Sequence, residues 1–551
     1  MPSPAAQTMS GGDALAEALL ANGVDTVFGL PGAQMYPFFD ALQRRGDRIR
    51  TIGARHEQAC GYMAFGHARS TGRPGVFSVV PGPGVLNTTA ALATALGACA
   101  PVLCVTGQVP SAFIGKGRGH LHELPDQLAT LRSICKWAAR IERPVDAPAI
   151  MDEAFRQMLS GRPGPVAVEM AWDVMAASGQ VTPLPAATIP SPPAPDAAEI
   201  ERAAAILAGA RQPMIFVGSG AQGAAEEVRA LAQALKAPVA ALRGGRGIVP
   251  ETDEWGLSSY AAWRLWPEVD AALGIGTRLE LPFMRWTGMM TLIDRPAAPP
   301  SIIRIDIDPD EMRRLVPHVG VVADAAEGAR ALLQALQTRA VHGGDAGAIA
   351  PARAQADAET RRVTPHVDYL AAIRAALPPD GFFVEELCQA GFASYFAYPV
   401  LKPRTYVSAG YQGTLGFGFP TALGVKAANP HAPVVSIAGD GGFLFAVQEL
   451  ATAAQEGLGV VAVVFNNAAY GNVRRDQATR YGGRVIAADL RNPDFGMLAD
   501  AFGVGFRRVS SPDGLRAALP PMLAADKPAL IEVVVDREAE ADPWPFIHPK
   551  R

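Results

Sequence analysis

The sequence predicts an α/β protein made of three domains, each a doubly wound parallel sheet. Short, continuous apolar runs such as PVLCVTG, MIFVGSG and VVAVVFNN alternate with longer amphipathic stretches along the chain. Apolar runs without polar alternation are typical of strands buried on both faces, as in parallel sheets that are covered by helices. The length of 551 residues also exceeds what one core supports, so roughly three domains are expected.

Two stretches without a helical or strand period indicate where the domains meet. The first is rich in Pro and Ala, and the second is rich in Gly and small polar residues. They predict an N-terminal domain (1–177), a linker (178–197), a central domain (198–338), a second linker (339–364) and a C-terminal domain (365–551). The last residues, DPWPFIHPKR, are expected either to close over a site as a lid or to pack on a neighbouring domain.

Composition and charge exclude several classes of protein. The formal net charge is −4 without long runs of one sign, which argues against nucleic acid or an acidic membrane as the main partner. Five cysteines without a CxxC pair argue against a disulfide framework or a zinc site. The N-terminus lacks the pattern of a signal peptide, so we expect a cytoplasmic protein that acts on small molecules.

The strongest local pattern follows two predicted neighbouring strands in the third domain. PVVSIA ends in Gly-Asp440-Gly441-Gly442, a helix is predicted over FLFAVQELATAAQEGL, and the next strand ends in Asn-Asn467. Parallel strands end at one sheet edge, where glycines and a helix N-terminus favour phosphate and oxygen ligands favour Mg²⁺. An Asp-capped turn and an Asn-Asn turn are the structural alternative, and the position of both clusters at strand ends favours the site.

This pattern, GDGG…NN, resembles the signature of thiamine-diphosphate-dependent enzymes. Nearly the whole chain is similar to the acetohydroxyacid synthase (acetolactate synthase) branch, including PVLCVTGQVP, SGRPGPVAVEM and RIDIDPDEM. The resemblance implies that Asp440, Asn467 and the backbone carbonyl of Ala469 hold Mg²⁺ against the cofactor's diphosphate. It further implies cofactor contacts from Gly84, Asn87, Gln389, Gly413, Leu415, Gly441, Gly442, Tyr470 and Gly471, with Leu415 wedging the cofactor into a bent shape.

Glu57 is the candidate for the carboxyl group that activates the cofactor. It follows the strand-like RIRTIG and opens a predicted helix, and on residues alone it is better explained as a helix-dipole partner. VFGLPGAQMYPFFDAL, ARHEQACGYMAFGHAR and VVPGPGVLNTTAAL resemble the family's pyrimidine-binding domain in order and spacing. The resemblance therefore implies that Glu57 is the catalytic glutamate, which shares a proton with the aminopyrimidine.

The substrate side departs from the acetohydroxyacid synthase pattern. GRGHLHE brings in His120 and His122, which are either a proton relay or two exposed histidines on a solvated loop. Gln108 matches an active-site glutamine of the family, and Asn472 replaces the usual residue of the acceptor pocket. Gln34 and Asn472 are weaker candidates for substrate contact.

The central domain resembles the family's nucleotide-binding domain. GIGTR and DIDPDE fit its general pattern, but a lone GxG is weak evidence. The flavin-contacting segment of the family appears here as GLSSYAA, so ADP or an empty domain is as well supported as FAD.

We therefore expect a thiamine-diphosphate- and Mg²⁺-dependent lyase or carboligase that acts on 2-oxo acids, with acetolactate synthesis as the leading activity. The alternatives are a 2-hydroxyacyl-CoA lyase, an oxalyl-CoA decarboxylase, a benzaldehyde lyase-like enzyme and an FAD-dependent 2-oxo acid oxidase. A non-catalytic regulatory homologue is disfavoured by intact Glu57, Asp440 and Asn467. The resemblance also implies a homodimer or homotetramer with active sites between subunits.

Overall fold

A computed structural model describes residues 5–550 and contains three six-stranded sheets, each with every strand parallel to its neighbours. The predicted fold class is confirmed. Among the described residues, none of the helices combines the length and the apolar character that a membrane crossing requires.

The N-terminal domain has the strand order β3-β2-β4-β5-β7-β6 in its main sheet. Its strands are β1 (Gln7–Ser10), β2 (Thr26–Gly29), β3 (Arg50–Gly53), β4 (Gly75–Val79), β5 (Val102–Gln108), β6 (Trp137–Ile141), β7 (Val166–Ala171) and β8 (Ser178–Val181). Its helices are α1 (Gly11–Ala21), α2 (Tyr36–Gln43), α3 (Glu57–Thr71), α4 (Pro83–Asn87), α5 (Thr89–Gly97), α6 (Gln127–Ile134), α7 (Ala147–Leu159) and α8 (Trp172–Ala176).

The central domain has the strand order β11-β10-β9-β12-β13-β14. Its strands are β9 (Pro213–Val217), β10 (Val239–Ala241), β11 (Gly256–Leu257), β12 (Ala271–Ile275), β13 (Ser301–Asp306) and β14 (Val319–Val322). Its helices are α9 (Ala197–Gly209), α10 (Ala225–Leu235), α11 (Ser259–Leu265), α12 (Pro309–Arg314) and α13 (Ala325–Gln337).

The C-terminal domain has the strand order β16-β15-β17-β18-β20-β19. Its strands are β15 (Phe382–Val384), β16 (Tyr406–Val407), β17 (Val434–Gly439), β18 (Val460–Asn466), β19 (Gly505–Val509) and β20 (Ala529–Val534). Its helices are α14 (Ile349–Thr360), α15 (His366–Ala376), α16 (Gln389–Ala397), α17 (Gly418–Ala428), α18 (Asp440–Leu444), α19 (Glu449–Glu456), α20 (Gly471–Arg480), α21 (Phe495–Phe502), α22 (Pro512–Ala525) and α23 (Trp544–Ile547).

The structure differs from the sequence-based expectation in three segments. The first linker begins with β8, which pairs antiparallel with β1 and so extends the N-terminal domain. The second linker is not irregular, because α14 lies within it and buries Ile349 and Ala356 in the core. The single helix expected after GDGG is two helices, α18 and α19, separated by turn residues 445–448.

The N-terminal and C-terminal domains share one apolar core through α3 and α17. Phe417 packs edge-on against Tyr62 and Phe65, with ring centroids 5.3 and 5.5 Å apart. The two helices touch backbone to backbone where Gly66 faces α17 and Gly424 faces α3. A Cβ atom at Gly66 would overlap a carbonyl oxygen of α17, so this close approach requires glycine.

We expect Gly66→Ala to lower the free energy of unfolding by about 1–3 kcal/mol, because the new methyl group forces α3 away from α17. Thermal or urea unfolding of the full chain measures this loss. Gly209→Ala is the control, since a Cβ there meets nothing within 4 Å. Equal stability of the Gly66→Ala and Gly209→Ala proteins would contradict the proposed close contact.

Candidate active site

Three neighbouring strands of the C-terminal sheet deliver polar residues to one edge. β15, β17 and β18 are parallel and adjacent, and Gln389, Asp440 and Asn467 follow their carboxyl ends. This is the edge at which doubly wound sheets bind ligands. The sequence predicted this placement for Asp440 and Asn467, and the structure brings both side chains to the same loop pair.

Asp440 and Asn467 are linked through the residues around them. Asp440 is buried and its Oδ2 accepts a hydrogen bond from Asn492 Nδ2 at 2.6 Å. The N–H of Ala469 donates to Asn467 Oδ1 at 3.1 Å and also to the Asp440 carboxylate. Burial raises the pKa of Asp440, while these donors oppose that rise. Asn492 was not found from the sequence, because its position depends on a loop far along the chain.

The backbone around Ala469 presents its carbonyl group to this site. Ala469 pairs with Asp489 in an isolated antiparallel bridge whose hydrogen bonds come from the flanking residues: Leu490 N to Ala468 O and Tyr470 N to Ala488 O, both 2.8 Å. In such a pair the central residue's own N–H and C=O point away from the partner strand. The Ala469 carbonyl therefore faces the same side as its N–H, which contacts Asp440 and Asn467.

The donor set suits Mg²⁺. The described residues contain no group of three or more His, Cys, Asp or Glu side chains that could hold a metal. Asp440, Asn467 and the Ala469 carbonyl supply one carboxylate and two neutral oxygens, and phosphate oxygens and water would complete an octahedral shell. Gln389 Oε1 is buried at the same edge without a hydrogen-bond partner. Buried polar atoms are normally hydrogen-bonded, so a bound polar ligand would account for this one.

The glycines of GDGG have a packing role beside the one expected from the sequence. A Cβ atom on Gly441 would lie 2.5 Å from the ring of Tyr470, and one on Gly442 would overlap Glu386 Oε1. Gly471 lies equally close to Asn467, whose Nδ2 would be 2.6 Å from an added Cβ. These glycines therefore allow the loops that carry Asp440 and Asn467 to pack closely on their neighbours, whether or not they also contact phosphate.

Glu386 is a buried carboxyl group that the sequence did not single out. Its oxygens accept hydrogen bonds from the N–H groups of Gly416 and Gly418 at 2.9 and 2.7 Å. These bonds fix the turn that carries Gly413 and Leu415, the residues that the family resemblance places against the cofactor. Burial raises the pKa of Glu386 to about 7, and the two N–H donors oppose the rise.

Glu57 is the first residue of α3, and its side chain is half-buried. Its Oε2 accepts a hydrogen bond from Asn87 Nδ2 at 2.9 Å, so the structure brings together two residues that the resemblance assigned to the cofactor. The loop before it is held by Glu449 of α19, whose carboxylate oxygens lie 3.1 and 3.2 Å from the Arg55 N–H. Glu449 was missed because it is distant in sequence from Glu57.

His122 and Gln34 form a pair beside Glu57. His122 Nδ1 lies 2.7 Å from Gln34 Oε1, and Gln34 Nε2 donates to the carbonyl of Leu121 at 2.9 Å. Burial lowers the pKa of His122, and the charge of Glu57 raises it in part, which places the imidazole within the field of that carboxylate. His122 is therefore not a freely solvated side chain.

Other predicted residues lie in different surroundings. His120 packs on Phe113 with ring centroids 5.0 Å apart. Gln108 is buried; its Oε1 accepts a hydrogen bond from Val109 N at 2.8 Å, and its Nε2 lies 3.4 Å from Glu169. Among the described residues, no contact joins Gln108 to Glu57 or His122. Gly84 is buried against Val80. Catalytic roles for His120 and Gln108, and a cofactor contact for Gly84, stay predictions.

The C-terminal residues pack on neighbouring elements. The Phe546 ring lies 5.0 Å from that of Tyr260 and 5.3 Å from that of Phe396. Trp544 packs on Phe392 and donates from Nε1 to Asn472 Oδ1 at 2.8 Å. The segment thus contacts both the central domain and Asn472, and its closure over a site as a lid stays a prediction.

Comparison with known families covers all three domains. The thiamine pyrophosphate enzyme N-terminal TPP binding domain matches residues 9–130, the central domain matches 200–336, and the C-terminal TPP binding domain matches 388–533. The chain belongs to the thiamine pyrophosphate enzyme family. The predicted family and the predicted use of thiamine diphosphate (thiamine pyrophosphate) are confirmed.

Relatives align over nearly the full chain. A probable 2-ketoarginine decarboxylase of Pseudomonas aeruginosa is 34% identical over 97% of this chain and 95% of its own length. A probable acetolactate synthase large subunit of Methanocaldococcus jannaschii is 33% identical over 97% and 93%. The acetolactate synthase isozyme 2 large subunit of Escherichia coli is 34% identical over 98% of each chain. The protein is a thiamine-diphosphate-dependent enzyme of the acetolactate synthase-like type.

In this member of the family, a cavity of about 440 Å³ lies where the three domains meet. Its lining includes the glycine-rich Gly218–Gly220 and arginines from all three domains, with Arg69, Arg243 and Arg404 among them. Two buried lining atoms, Gln222 Oε1 and Arg243 Nε, have no hydrogen-bond partner. Burial raises the pKa of Asp306, at the end of β13, to about 6. The lining has the chemistry to hold an anionic ligand such as a nucleotide.

We expect Glu386 to make the stability of this enzyme fall as pH rises. Its pKa is raised from 4.5 to about 7, so between these values the folded state holds a proton that the unfolded chain has lost. The contribution of protonated Glu386 to the free energy of unfolding is fully present below about pH 4.5, and it is lost as pH rises through about 7. Glutamine stays neutral at every pH. The melting temperature of Glu386→Gln minus that of wild type should therefore rise from about pH 5 to about pH 8.

Melting temperatures of both proteins across this pH range provide the measurement. The matched control is Glu538→Gln, since the Glu538 side chain is 75% exposed. Its difference from wild type should stay constant with pH. A Glu386→Gln difference that is equally constant would show that the buried carboxyl group does not titrate as described.

Proposed function

We propose that this enzyme uses thiamine diphosphate and Mg²⁺ to decarboxylate a 2-oxo acid and to join the product to a second carbonyl compound, as in acetolactate synthesis. The observation that carries the proposal is the convergence of Asp440, Asn467 and the Ala469 backbone at one sheet edge. The two acetolactate synthase relatives support carboligation as the leading outcome.

Different residues would bind the metal ion and the diphosphate end of the cofactor. Thiamine diphosphate held by these residues would supply a nucleophilic carbon for a substrate carbonyl and an electron sink for decarboxylation. Asp440, Asn467 and the Ala469 carbonyl would hold Mg²⁺, and Gln389 would donate from its amide NH₂ to an oxygen of the diphosphate. Tyr470, at the turn after Ala469, would line the same end of the cofactor.

Glu57 would hold and share a proton at the aminopyrimidine ring, and Asn87 would orient its carboxylate through the 2.9 Å hydrogen bond. Leu415 would support the cofactor from the turn that Glu386 fixes. His122, oriented by Gln34, would deliver or accept a proton on the substrate side, because its lowered pKa favours neutral imidazole near neutral pH.

Simple decarboxylation followed by protonation is the second candidate outcome. With its Nδ1–H directed at Gln34 Oε1, the neutral imidazole of His122 can take up a proton at its other ring nitrogen and would deliver it to the decarboxylated product. The relative described as a probable 2-ketoarginine decarboxylase also favours this outcome. Asn472, which Trp544 and Arg475 both contact, would shape the substrate-side wall in either case.

We also propose that a nucleotide occupies the cavity between the three domains. The unpaired Arg243 Nε donor and the lining arginines support a phosphate-bearing ligand, and the unpaired Gln222 Oε1 could accept from a hydroxyl or amino group of a nucleotide. ADP and FAD are the two candidates, and only FAD would permit the oxidase alternative. Release of the ligand by denaturation and its absorbance spectrum would distinguish flavin from adenine nucleotide.

The active enzyme is proposed to be a cytoplasmic homodimer or homotetramer with its active sites between subunits. Glu57 and Asn87 lie at an accessible surface, and the large apolar side chains of Leu86 and Phe445 are also exposed, which supports coverage by a second copy. All five cysteines are free thiols, which fits a reducing compartment. Sedimentation analysis of the enzyme with its cofactors would determine the assembly.

A substrate panel tests the proposed reaction. Purified enzyme with thiamine diphosphate and Mg²⁺ would be given 2-oxo acids, 2-hydroxyacyl-CoA and oxalyl-CoA thioesters, and aldehydes, and both CO₂ and ligated product would be measured. Acetolactate from pyruvate would support the leading proposal. Turnover of a thioester alone would instead support the acyl-CoA lyase class.

We expect Glu57→Gln to lower turnover by about 100-fold or more, because glutamine cannot share a proton with the aminopyrimidine. Calorimetry should find thiamine diphosphate bound about as tightly as in wild type. Glu142→Gln is a surface control for the charge change. Wild-type turnover in the Glu57→Gln enzyme would remove Glu57 from the mechanism.

We expect His122→Asn to change the partition of products more than the rate of substrate decarboxylation. Loss of the proton donor should raise the ratio of ligated to protonated product, which product analysis with one donor and one acceptor measures. His431→Asn changes a histidine elsewhere on the chain and should leave the ratio unchanged. An unaltered ratio in the His122→Asn enzyme would show that this imidazole does not protonate the product.

A further inference from the structure

The chain after β20 returns across the loop that carries the metal-site residue Asn467. We call residues 536–548 the C-terminal strap. Arg537 Nε donates to the Asn467 carbonyl at 3.0 Å, and its Nη2 donates to the Ala468 carbonyl at 2.6 Å. Both carbonyls belong to the turn in which Ala468 has a positive φ of 53°. The strap therefore holds the backbone of this turn from one side.

The strap also contacts the side chain of Asn467. Glu540 Oε2 accepts a hydrogen bond from Asn467 Nδ2 at 2.8 Å. The other oxygen, Oε1, lies 3.2 Å from Nε2 of His366, and only 8% of the Glu540 side chain is exposed. The carboxylate is thus enclosed between a fully buried imidazole and the amide group of Asn467.

This contact determines which way the Asn467 amide faces. A carboxylate accepts hydrogen bonds and does not donate them, so the NH₂ group must be the end of the amide that faces Glu540. The Oδ1 atom is then at the opposite end of the amide, where it accepts the N–H of Ala469 at 3.1 Å, a group that also donates to the Asp440 carboxylate. A half-turn of the amide would place Oδ1 against the Glu540 carboxylate and NH₂ against the Ala469 N–H, so the two contacts favour the same orientation and Glu540 supplies the one that depends on the strap.

We propose that Glu540 is a positioning residue for metal binding, which turns the oxygen of Asn467 toward Mg²⁺ and links the C-terminal strap to the cofactor site. The proposal rests on the proposed Mg²⁺ site at Asp440, Asn467 and Ala469. Partners that orient a ligand in this way typically change metal affinity by about 10- to 100-fold when they are removed.

The test compares Mg²⁺ binding by full-length Glu540→Leu and wild-type enzymes at a fixed thiamine diphosphate concentration. Leucine is close to glutamate in size but accepts no hydrogen bond, so the Mg²⁺ dissociation constant should rise about 10- to 100-fold. Saturating Mg²⁺ should restore thiamine diphosphate binding. A purely structural role would not produce a defect that excess Mg²⁺ corrects.

Two further variants keep the test decisive. Glu540→Gln retains an oxygen that can accept from Asn467, so its Mg²⁺ affinity should return to within about threefold of wild type. Glu538→Leu is the matched control in the same segment, where the native side chain is 75% exposed, and should bind Mg²⁺ as wild type does. If leucine at position 540 prevents folding, Glu540→Asp, whose carboxylate is one methylene shorter, should weaken Mg²⁺ binding to an intermediate degree.

The inference is overturned if the folded Glu540→Leu protein, or Glu540→Asp in its place, binds Mg²⁺ within twofold of wild type. It is also overturned if Glu538→Leu weakens Mg²⁺ binding equally. Wild-type enzyme that binds thiamine diphosphate without any Mg²⁺ dependence would instead reject the proposed metal site, so the two failures give different results.

Discussion

The parallel pairing of β17 with β18 is the constraint on which the site depends. Their register places Gly439 opposite Phe465, so the residues that follow each strand emerge at the same edge. A slip of one residue would shift the end of β18 along β17 by about 3.3 Å and so displace Asn467 from Asp440. The continuous apolar sequence of both strands makes them strands of a covered sheet, and the sheet then holds Asp440 and Asn467 together without any direct bond between them.

A second constraint joins the two parts of the candidate active site. Glu57 is on the N-terminal domain, yet the loop before it is bonded to Glu449, which lies on the helix that follows the GDGG loop. The glycine contact between α3 and α17 closes the same domain interface from the other side. The position of Glu57 therefore depends on the C-terminal domain of its own chain, even where its carboxylate is proposed to serve a cofactor held by another copy.

The sequence was sufficient for features with a local pattern and insufficient for those made by distant contacts. Buried strands, the GDGG loop and the Asn-Asn turn could be recognised because apolar runs and glycines are adjacent in sequence. Glu386, Glu449 and Glu540 carry no such pattern, and only the folded chain shows what each carboxylate contacts. α14 was missed because its polar, alanine-rich sequence resembles a linker, although tertiary packing makes it a helix.

The two ends of the site are built differently, and this difference bears on specificity. At the proposed metal end, regular strands and buried carboxylates determine where each oxygen lies. At the proposed substrate end, Gln34 and His122 face one another from loops, and both have positive φ angles, 69° and 67°. Left-handed backbone at a residue other than glycine costs free energy and persists only where the surroundings enforce it. The backbone strain therefore lies in the loops that carry Gln34 and His122, whereas Asp440 and Asn467 follow regular strands.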